Sequence, residues 1–484
     1  MKLSNNKENI KQSLKDIVEA VSEEEIKIID ESKLRDRLID QLIFEATFNP
    51  DKGIVEFSRH LIKNIAIEQK IVLSSIYEYY KRKSKDKSKV TIPAINVRGM
   101  AYNTARAIFE AVKKEKTTAF ILEIAKSEIE YTGQKPAEYS TSILAAAIKE
   151  GYQGPLFLQG DHFQINAEKY KNNPVEEREK IKKLIREAIG AGFYQIDLDM
   201  STLVDWSKDD YNAQQMSNYK ETAFLTAYVR DLEREFGLDK FGIVINLGGE
   251  IGEIGKGIKG RNSIVEDLRA FMRGYQEELT ILSKERGYRL EGITKIAVQS
   301  GTRHGGIRDE KGNVIKDVKV GFNTLAELGK IAREEYGLAG IVQHGASTLD
   351  PRCFVLFTGQ LPPKDFEISE ELLTKENAKI LSENPVAEVH LATAYQDTIL
   401  DHPVFPKELA ERIKKWVLEN YPQKEGEDTG KAYISNRKNA WGPFKFELWS
   451  LSMEIQDALR RTLVRQFSED VFSNLGVKGF NFEA

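Results

Sequence analysis

The chain has 484 residues, with 71 lysines and arginines against 75 aspartates and glutamates, a formal net charge of −4. That balance removes the broad basic surface that binding to nucleic acid or an anionic membrane draws on. The single cysteine, Cys353, excludes an intramolecular disulfide framework and a cysteine-rich zinc site. No apolar run approaches membrane length and residues 1–14 are polar, so neither a spanning helix nor a signal peptide is expected. The expected setting is cytoplasmic, with no nucleic-acid or membrane partner.

Residues 1–88 read as a helical extension that ends in a basic linker. Leu38, Leu42, Ile43 and Ala46 recur at helical spacing. The run Lys81-Arg82-Lys83-Ser84-Lys85-Asp86-Lys87-Ser88-Lys89 has no interleaved aromatics, the pattern of a solvated linker. From residue 90, apolar runs at 90–97, 119–125, 156–159, 194–198, 242–247, 293–299, 340–343 and 387–393 alternate with amphipathic stretches. The latter include 103–114, 176–190, 212–236, 263–284 and 324–336. Eight strand candidates separated by helices predict an α/β fold, a (β/α)8 TIM barrel over 89–404. An open doubly wound sheet competes, but its glycine-rich dinucleotide fingerprint is missing after the first strand. Two connections are longer than packing requires: the one after His304, around Lys311-Gly312-Asn313-Val314, and the insertion between His344 and the eighth strand. Both are expected to act as lids or binding elements. Residues 405–484 read as a helical C-terminal extension, with helices over 408–419 and 446–467 that pack outside the barrel or form an oligomer contact.

In a parallel barrel the strand C-termini converge on one rim, and polar residues there read as catalytic. The first strand ends at Asn96, the third at Asp161 and His162, the fourth at Asp197, Asp199 and Ser201, and the fifth at Glu250. The sixth and seventh end at His304 and His344, and the eighth at His390 and Thr393. Three imidazoles, His162, His304 and His344, would leave zinc one open position for water or substrate, the catalytic arrangement. His60, His402 and Cys353 have no such context.

These stretches resemble the class II, metal-dependent fructose-bisphosphate aldolase family. The resemblance runs from Pro93 to about Thr393 through Pro-Ala-Ile-Asn-Val, Gly-Asp-His, Gly-Phe-Tyr-Gln-Ile-Asp-Leu-Asp-Met-Ser, Gly-Glu-Ile-Gly-Glu-Ile-Gly, Gly-Thr-Arg-His-Gly and Gln-His-Gly-Ala-Ser, in family order. It implies that His162, His304 and His344 bind Zn2+, or another divalent ion. It casts Asp161 as the general acid/base, and Asp199 and Glu250 as residues supporting the site or an additional metal. Gly345, Ser347 and Thr393 would receive the phosphate of dihydroxyacetone phosphate, with Asn96 nearby and His390 lining the substrate side.

The chain departs from the family where substrate is read. The family's His-Gly-Gly-Ser turn is here His344-Gly345-Ala346-Ser347, and its Asn-x-x-Thr-Asp is His390-Leu391-Ala392-Thr393-Ala394. Ala125 stands at the phosphate-side serine, with Ser127 two residues on. The mobile loop after the fifth strand, Gly255-Lys256-Gly257-Ile258-Lys259-Gly260-Arg261, is basic where the family carries an acidic pair, and the reading makes it a lid over an anionic substrate. The implied activity is a zinc-dependent aldolase that reversibly cleaves a phosphorylated ketose such as fructose 1,6-bisphosphate, working as a homo-oligomer. A metal-dependent sugar-acid or sugar-phosphate epimerase or isomerase on the same site is the alternative. A non-catalytic aldolase-like subunit is a third, against which retention of all three histidines and Asp161 speaks.

Overall fold

The computed structural model describes residues 2–20, 25–85, 88–252, 261–301, 320–361, 368–423 and 428–482. Eight strands form a closed parallel barrel: β1 (Ile92–Asn96), β2 (Ile121–Ala125), β3 (Gly154–Gln164), β4 (Gln195–Asp199), β5 (Asn246–Glu250), β6 (Lys295–Ala297), β7 (Ile341–Gln343) and β8 (Glu388–Leu391). Each pairs with the next, and β8 closes on β1 with Glu388 opposite Ile92. All residues of β1 and β2 are buried, as expected of strands covered by helices outside and packed within.

Seven of the intervening and flanking helices set the outer layer: α1 (Ala101–Glu115), α2 (Pro136–Glu150), α3 (Pro174–Gly190), α4 (Tyr211–Glu235), α5 (Val265–Arg286), α6 (Phe322–Glu334) and α7 (Thr393–Leu400). In α1 the buried residues Thr104, Ala105, Ile108, Phe109, Ala111 and Val112 make one apolar face against the barrel. Helix α3 starts at Pro174, whose missing N–H costs nothing in the first turn, while the Asn173 side chain accepts from Glu176 N. The fifth strand begins later than the apolar pattern predicts, at Asn246, because residues 239–242 close a turn after α4.

The N-terminal region is not wholly helical. Leu38, Leu42, Ile43 and Ala46 are buried as their spacing predicts, within and beside the helix Ile39–Phe48. Val18–Ala20 and Ile26–Ile28, however, form an antiparallel pair, and Ile71–Leu73 adds a parallel strand to the start of β3. Three-residue strands are too short to show a period, and their β-branched residues also fit a helix face.

The basic stretch also departs from a solvated linker at Lys83, which is buried with its ammonium bonded to Val90 O. Helix Tyr77–Lys83 closes the N-terminal mouth of the barrel. Ile76 N donates to Gln195 Oε1 at 2.9 Å, Ser75 Oγ to Val244 O at 2.5 Å, and Tyr80 O–H to Glu388 Oε2 at 2.6 Å. At the opposite rim the tail packs Trp441 against Gly99, just after β1. Arg437 pairs with Asp397 at 2.7 Å and Asp401 at 2.5 Å, fastening the tail to α7.

Candidate functional site at the C-terminal rim of the barrel

Consecutive strand residues ordinarily point to opposite faces, yet Asp161 and His162 both turn into the barrel. The pairing of β3 with β4 runs from Gly160–Ile196 to Phe163–Leu198, so β3 carries one residue more than its partner. This bulge places His162 at φ 44°, a left-handed conformation uncommon outside glycine. Such local strain is characteristic of functional sites.

His162 Nδ1 lies 3.0 Å from Asp199 Oδ2 and 3.4 Å from Glu250 Oε2. Nε2, on the other side of the ring, lies 3.6 Å from Asp161 Oδ1. Asp199 is itself held by the Ser201 hydroxyl at 2.6 Å and the Gln164 amide at 2.6 Å. A proton on Nδ1, donated to Asp199, leaves the Nε2 lone pair on the Asp161 side, the orientation that a carboxylate imposes on a metal-binding histidine.

His344 follows β7, and its ring centroid is 4.5 Å from that of His162 and 4.0 Å from that of His390. The ligand atoms of Asp161, His162 and His344 all lie within 4.8 Å of one another. The two imidazoles suit zinc and comparable divalent cations, and the Asp161 carboxylate lies beside them. His304 lies outside the described residues.

His390 lies beside Asp161 and His344. Nε2 meets Glu388 Oε1 at 2.7 Å, while Nδ1 lies 3.2 Å from Glu123 Oε2 and 3.4 Å from Asp161 Oδ1. Beneath it is a charged layer of which the motifs revealed only Asp197. Lys295, fully buried, donates to Glu388 Oε1 at 2.5 Å and Gln159 Oε1 at 2.8 Å, and contacts Asp197 Oδ1 at 3.0 Å. The Gln159 amide bridges Glu123 at 2.9 Å and Glu388 at 2.8 Å. A charge inside an otherwise apolar strand, as in Ile121-Leu122-Glu123-Ile124 or Thr294-Lys295-Ile296-Ala297, is the signal that would have found them.

Charges compressed into so little space displace one another's ionisation. Burial, reinforced by Asp199, pushes Glu250 up to about 8. Burial does the same to Glu123, also to about 8, with Asp161 adding repulsion against the pull of His390. Burial raises Asp197 to about 6 despite Lys295, whereas Lys295 and His390 hold Glu388 far below the carboxylate range in spite of its burial. His162 and His390 are disfavoured as cations by burial, but the carboxylates outweigh it and raise both well above 6.5. Asp199 is lowered, the bonds from His162 and Ser201 overcoming its burial.

The predicted phosphate residues divide. Gly345, at φ 70°, opens the tight turn Ala346–Thr348, and Ala394 N donates to Ser347 Oγ at 3.4 Å, so the loops after β7 and β8 meet there. Thr393 opens α7. The Asn96 amide is engaged elsewhere: Nδ2 donates to Glu128 Oε2 at 2.6 Å, and Oδ1 accepts from Arg98 Nε at 3.2 Å. In the basic loop, Lys256 and Lys259 lie outside the described residues. Arg261 forks onto Asp267 at 3.0 Å and lies 5.3 Å from the Trp206 ring, so its charge is already compensated. Outside the site, His60 contacts Asn64 and His402 contacts Thr462. Cys353 is half-buried, its thiol pushed up to about 12 by burial.

No protein-family model matches the chain, and no curated protein matches it. Among solved structures it is similar to a probable tagatose 6 phosphate kinase from Sinorhizobium meliloti, at 14% identity over 80% of this chain and 97% of that one, with a TM-score of 0.49. It is also similar to fructose-bisphosphate aldolase from Campylobacter jejuni, at 16% identity over 84% and 96%, TM-score 0.41. A third is fructuronate-tagaturonate epimerase from Cohnella laeviribosi, at 14% identity over 81% and 80%, TM-score 0.42.

Proposed function

We propose that the chain is a zinc-dependent aldolase acting on a phosphorylated ketose, most simply fructose 1,6-bisphosphate. The observation that carries this reading is the convergence of Asp161, His162 and His344 within 4.8 Å at the rim. A divalent cation held by His162 and His344, with His304 as the third imidazole, would polarise the substrate carbonyl and offset the charge left when the adjacent carbon–carbon bond breaks. Asp161 takes the proton of the hydroxyl on the carbon across that bond. The electrons of the O–H bond form the new carbonyl, and the carbon–carbon pair moves to the ketone fragment, which becomes dihydroxyacetone phosphate once that carbon takes up a proton. Asp161 is next to ligand His162 in sequence and faces its ring, where a base must lie if the reacting atoms are adjacent. The turn at Gly345 and Ser347, with Thr393 opening the next helix, offers backbone amides to the phosphate.

The test is a product assay. Zinc-loaded protein given fructose 1,6-bisphosphate should release dihydroxyacetone phosphate, and Asp161→Ala should slow release by roughly 10²–10⁴-fold while zinc is retained. Absence of triose phosphate from the parent protein would refute the assignment.

One observation favours a second reading, epimerisation of a sugar acid or sugar phosphate on the same centre. His390 puts a second proton-carrying group 3.4 Å from Asp161, and epimerisation needs one group to take a proton and another to return it. An epimerase would return a ketose of inverted configuration with no free aldehyde, so the same assay separates the two.

A further inference from the structure

The N-terminal extension reaches the site from below through an unbroken line of polar contacts. Tyr80, fully buried on the helix Tyr77–Lys83, donates its hydroxyl to Glu388 Oε2 at 2.6 Å. The other oxygen of the same carboxylate, Oε1, accepts from Lys295 Nζ at 2.5 Å and Gln159 Nε2 at 2.8 Å, and lies 2.7 Å from His390 Nε2. His390 in turn presents Nδ1 to Asp161 Oδ1 at 3.4 Å and to Glu123 Oε2 at 3.2 Å. We propose that Tyr80 is a positioning residue for the reaction, acting through Glu388 and His390 to set the orientation of Asp161. This rests on the reading of Asp161 as the acid/base.

The geometry explains why the tyrosine matters. Three partners crowd Oε1 of Glu388, while Oε2 accepts the Tyr80 hydroxyl. That bond resists rotation of the carboxylate, which would exchange the two oxygens and lead the His390 ring away from Asp161. The tyrosine is itself rigidly held. Its helix is tied to the barrel floor by Ile76 to Gln195, Tyr77 to Glu291 at 2.7 Å, Lys83 to Val90 O, and Arg333 to Lys83 O at 2.7 Å. A fixed hydroxyl on a fixed floor can hold a carboxylate in one rotamer, and catalytic geometry degrades steeply when a supporting contact is lost.

A tyrosine that only filled space would be replaced by phenylalanine with little kinetic effect. Tyr80→Phe should instead lower kcat by about tenfold with KM within about twofold of the parent, since small misplacements of a reacting group fall on the rate. Bound zinc should not change. In a His390→Asn background the same substitution should have no further effect on kcat, because the line is already cut. An unchanged kcat in Tyr80→Phe, or an equal loss in both backgrounds, would overturn the proposal. A second readout does not need the reaction: in ¹⁵N-histidine-labelled protein, the His390 imidazole signals, identified by their loss in His390→Asn, should shift in Tyr80→Phe. If the parent releases no triose phosphate, the functional reading fails by itself. The line from floor to site is then decided by that shift, and an unmoved His390 signal overturns it.

Discussion

Replacing Lys295 with methionine removes the one ammonium in the charged layer described above and leaves the shape of the side chain largely intact. In the native protein it sits fully buried between Glu388 at 2.5 Å and Asp197 at 3.0 Å. Each pair is worth about 4 kcal/mol gross if the charge centres are about 4 Å apart at an effective dielectric of about 20. The lysine's own desolvation opposes that gain, so the net loss is better gauged from buried pairs broken on one side, about 3–5 kcal/mol. Against a typical total of about 5–15 kcal/mol, Lys295→Met should be folded but much less stable in urea. The loss should be largest near pH 8, where Glu388 and Asp197 are both ionised, and smaller near pH 5, where Asp197, raised to about 6, takes up a proton. Adding Glu388→Gln should recover part of the loss, since the uncompensated charge goes with it. A loss below about 1 kcal/mol at pH 8, or a double variant as unstable as the sum of the singles, would refute the idea that Lys295 balances the layer.

Two further outcomes follow from the same contacts. Glu123 and Glu250, both raised to about 8, stay protonated in the folded metal-free protein while the unfolded chain ionises near 4.5; its stability should therefore fall from pH 5 to pH 8, on the order of a kcal/mol per pH unit. The raised His162 and His390 act in the same direction, their contribution being full below about 6.5 and lost above it as their folded values are passed, so urea midpoints rising with pH would contradict the scheme. Gly99→Ala would put a Cβ 2.3 Å from Cδ2 of the buried Trp441 ring, so the tail must shift; a loss of about 1–3 kcal/mol and altered tryptophan emission are expected, and an unchanged urea midpoint would contradict tight packing there.

Much of the barrel was legible because parallel strands buried on both faces must be continuously apolar, and the runs ending at Asn96, Ala125, Asp199 and Gln343 stand out against charged helices. The rim positions of Asp161, His162 and His344 were legible for a related reason: a polar residue that ends an apolar run has only the rim to occupy. What the motifs could not convey was the bulge. A strict alternation would send Asp161 and His162 to opposite faces, and only the register shift against β4 brings both inward. The short strand Ile71–Leu73 was missed because its pairing with β3 is a long-range fact that three residues cannot announce.

The charged layer under the site, apart from Asp197, was missed for a different reason, and its presence changes what surrounds the rim residues. Glu388 and His390 are two apart on β8 and so share a face, which places a carboxylate below each approach to the imidazole. In a barrel whose interior was filled only with valine and leucine, His390 would have an apolar neighbour beneath it and could turn freely between Asp161 and His344. Here Glu388 holds Nε2, Lys295 and Gln159 hold Glu388, and Tyr80 holds its second oxygen from the floor. The polar interior thus substitutes hydrogen-bonded rigidity for packing, at the expense of several buried charges that only mutual pairing can stabilise. That arrangement needs a lysine, a tyrosine and a glutamine in the strands and on the floor as much as it needs the rim histidines. It explains why an extension outside the barrel carries a side chain that ends on a barrel carboxylate.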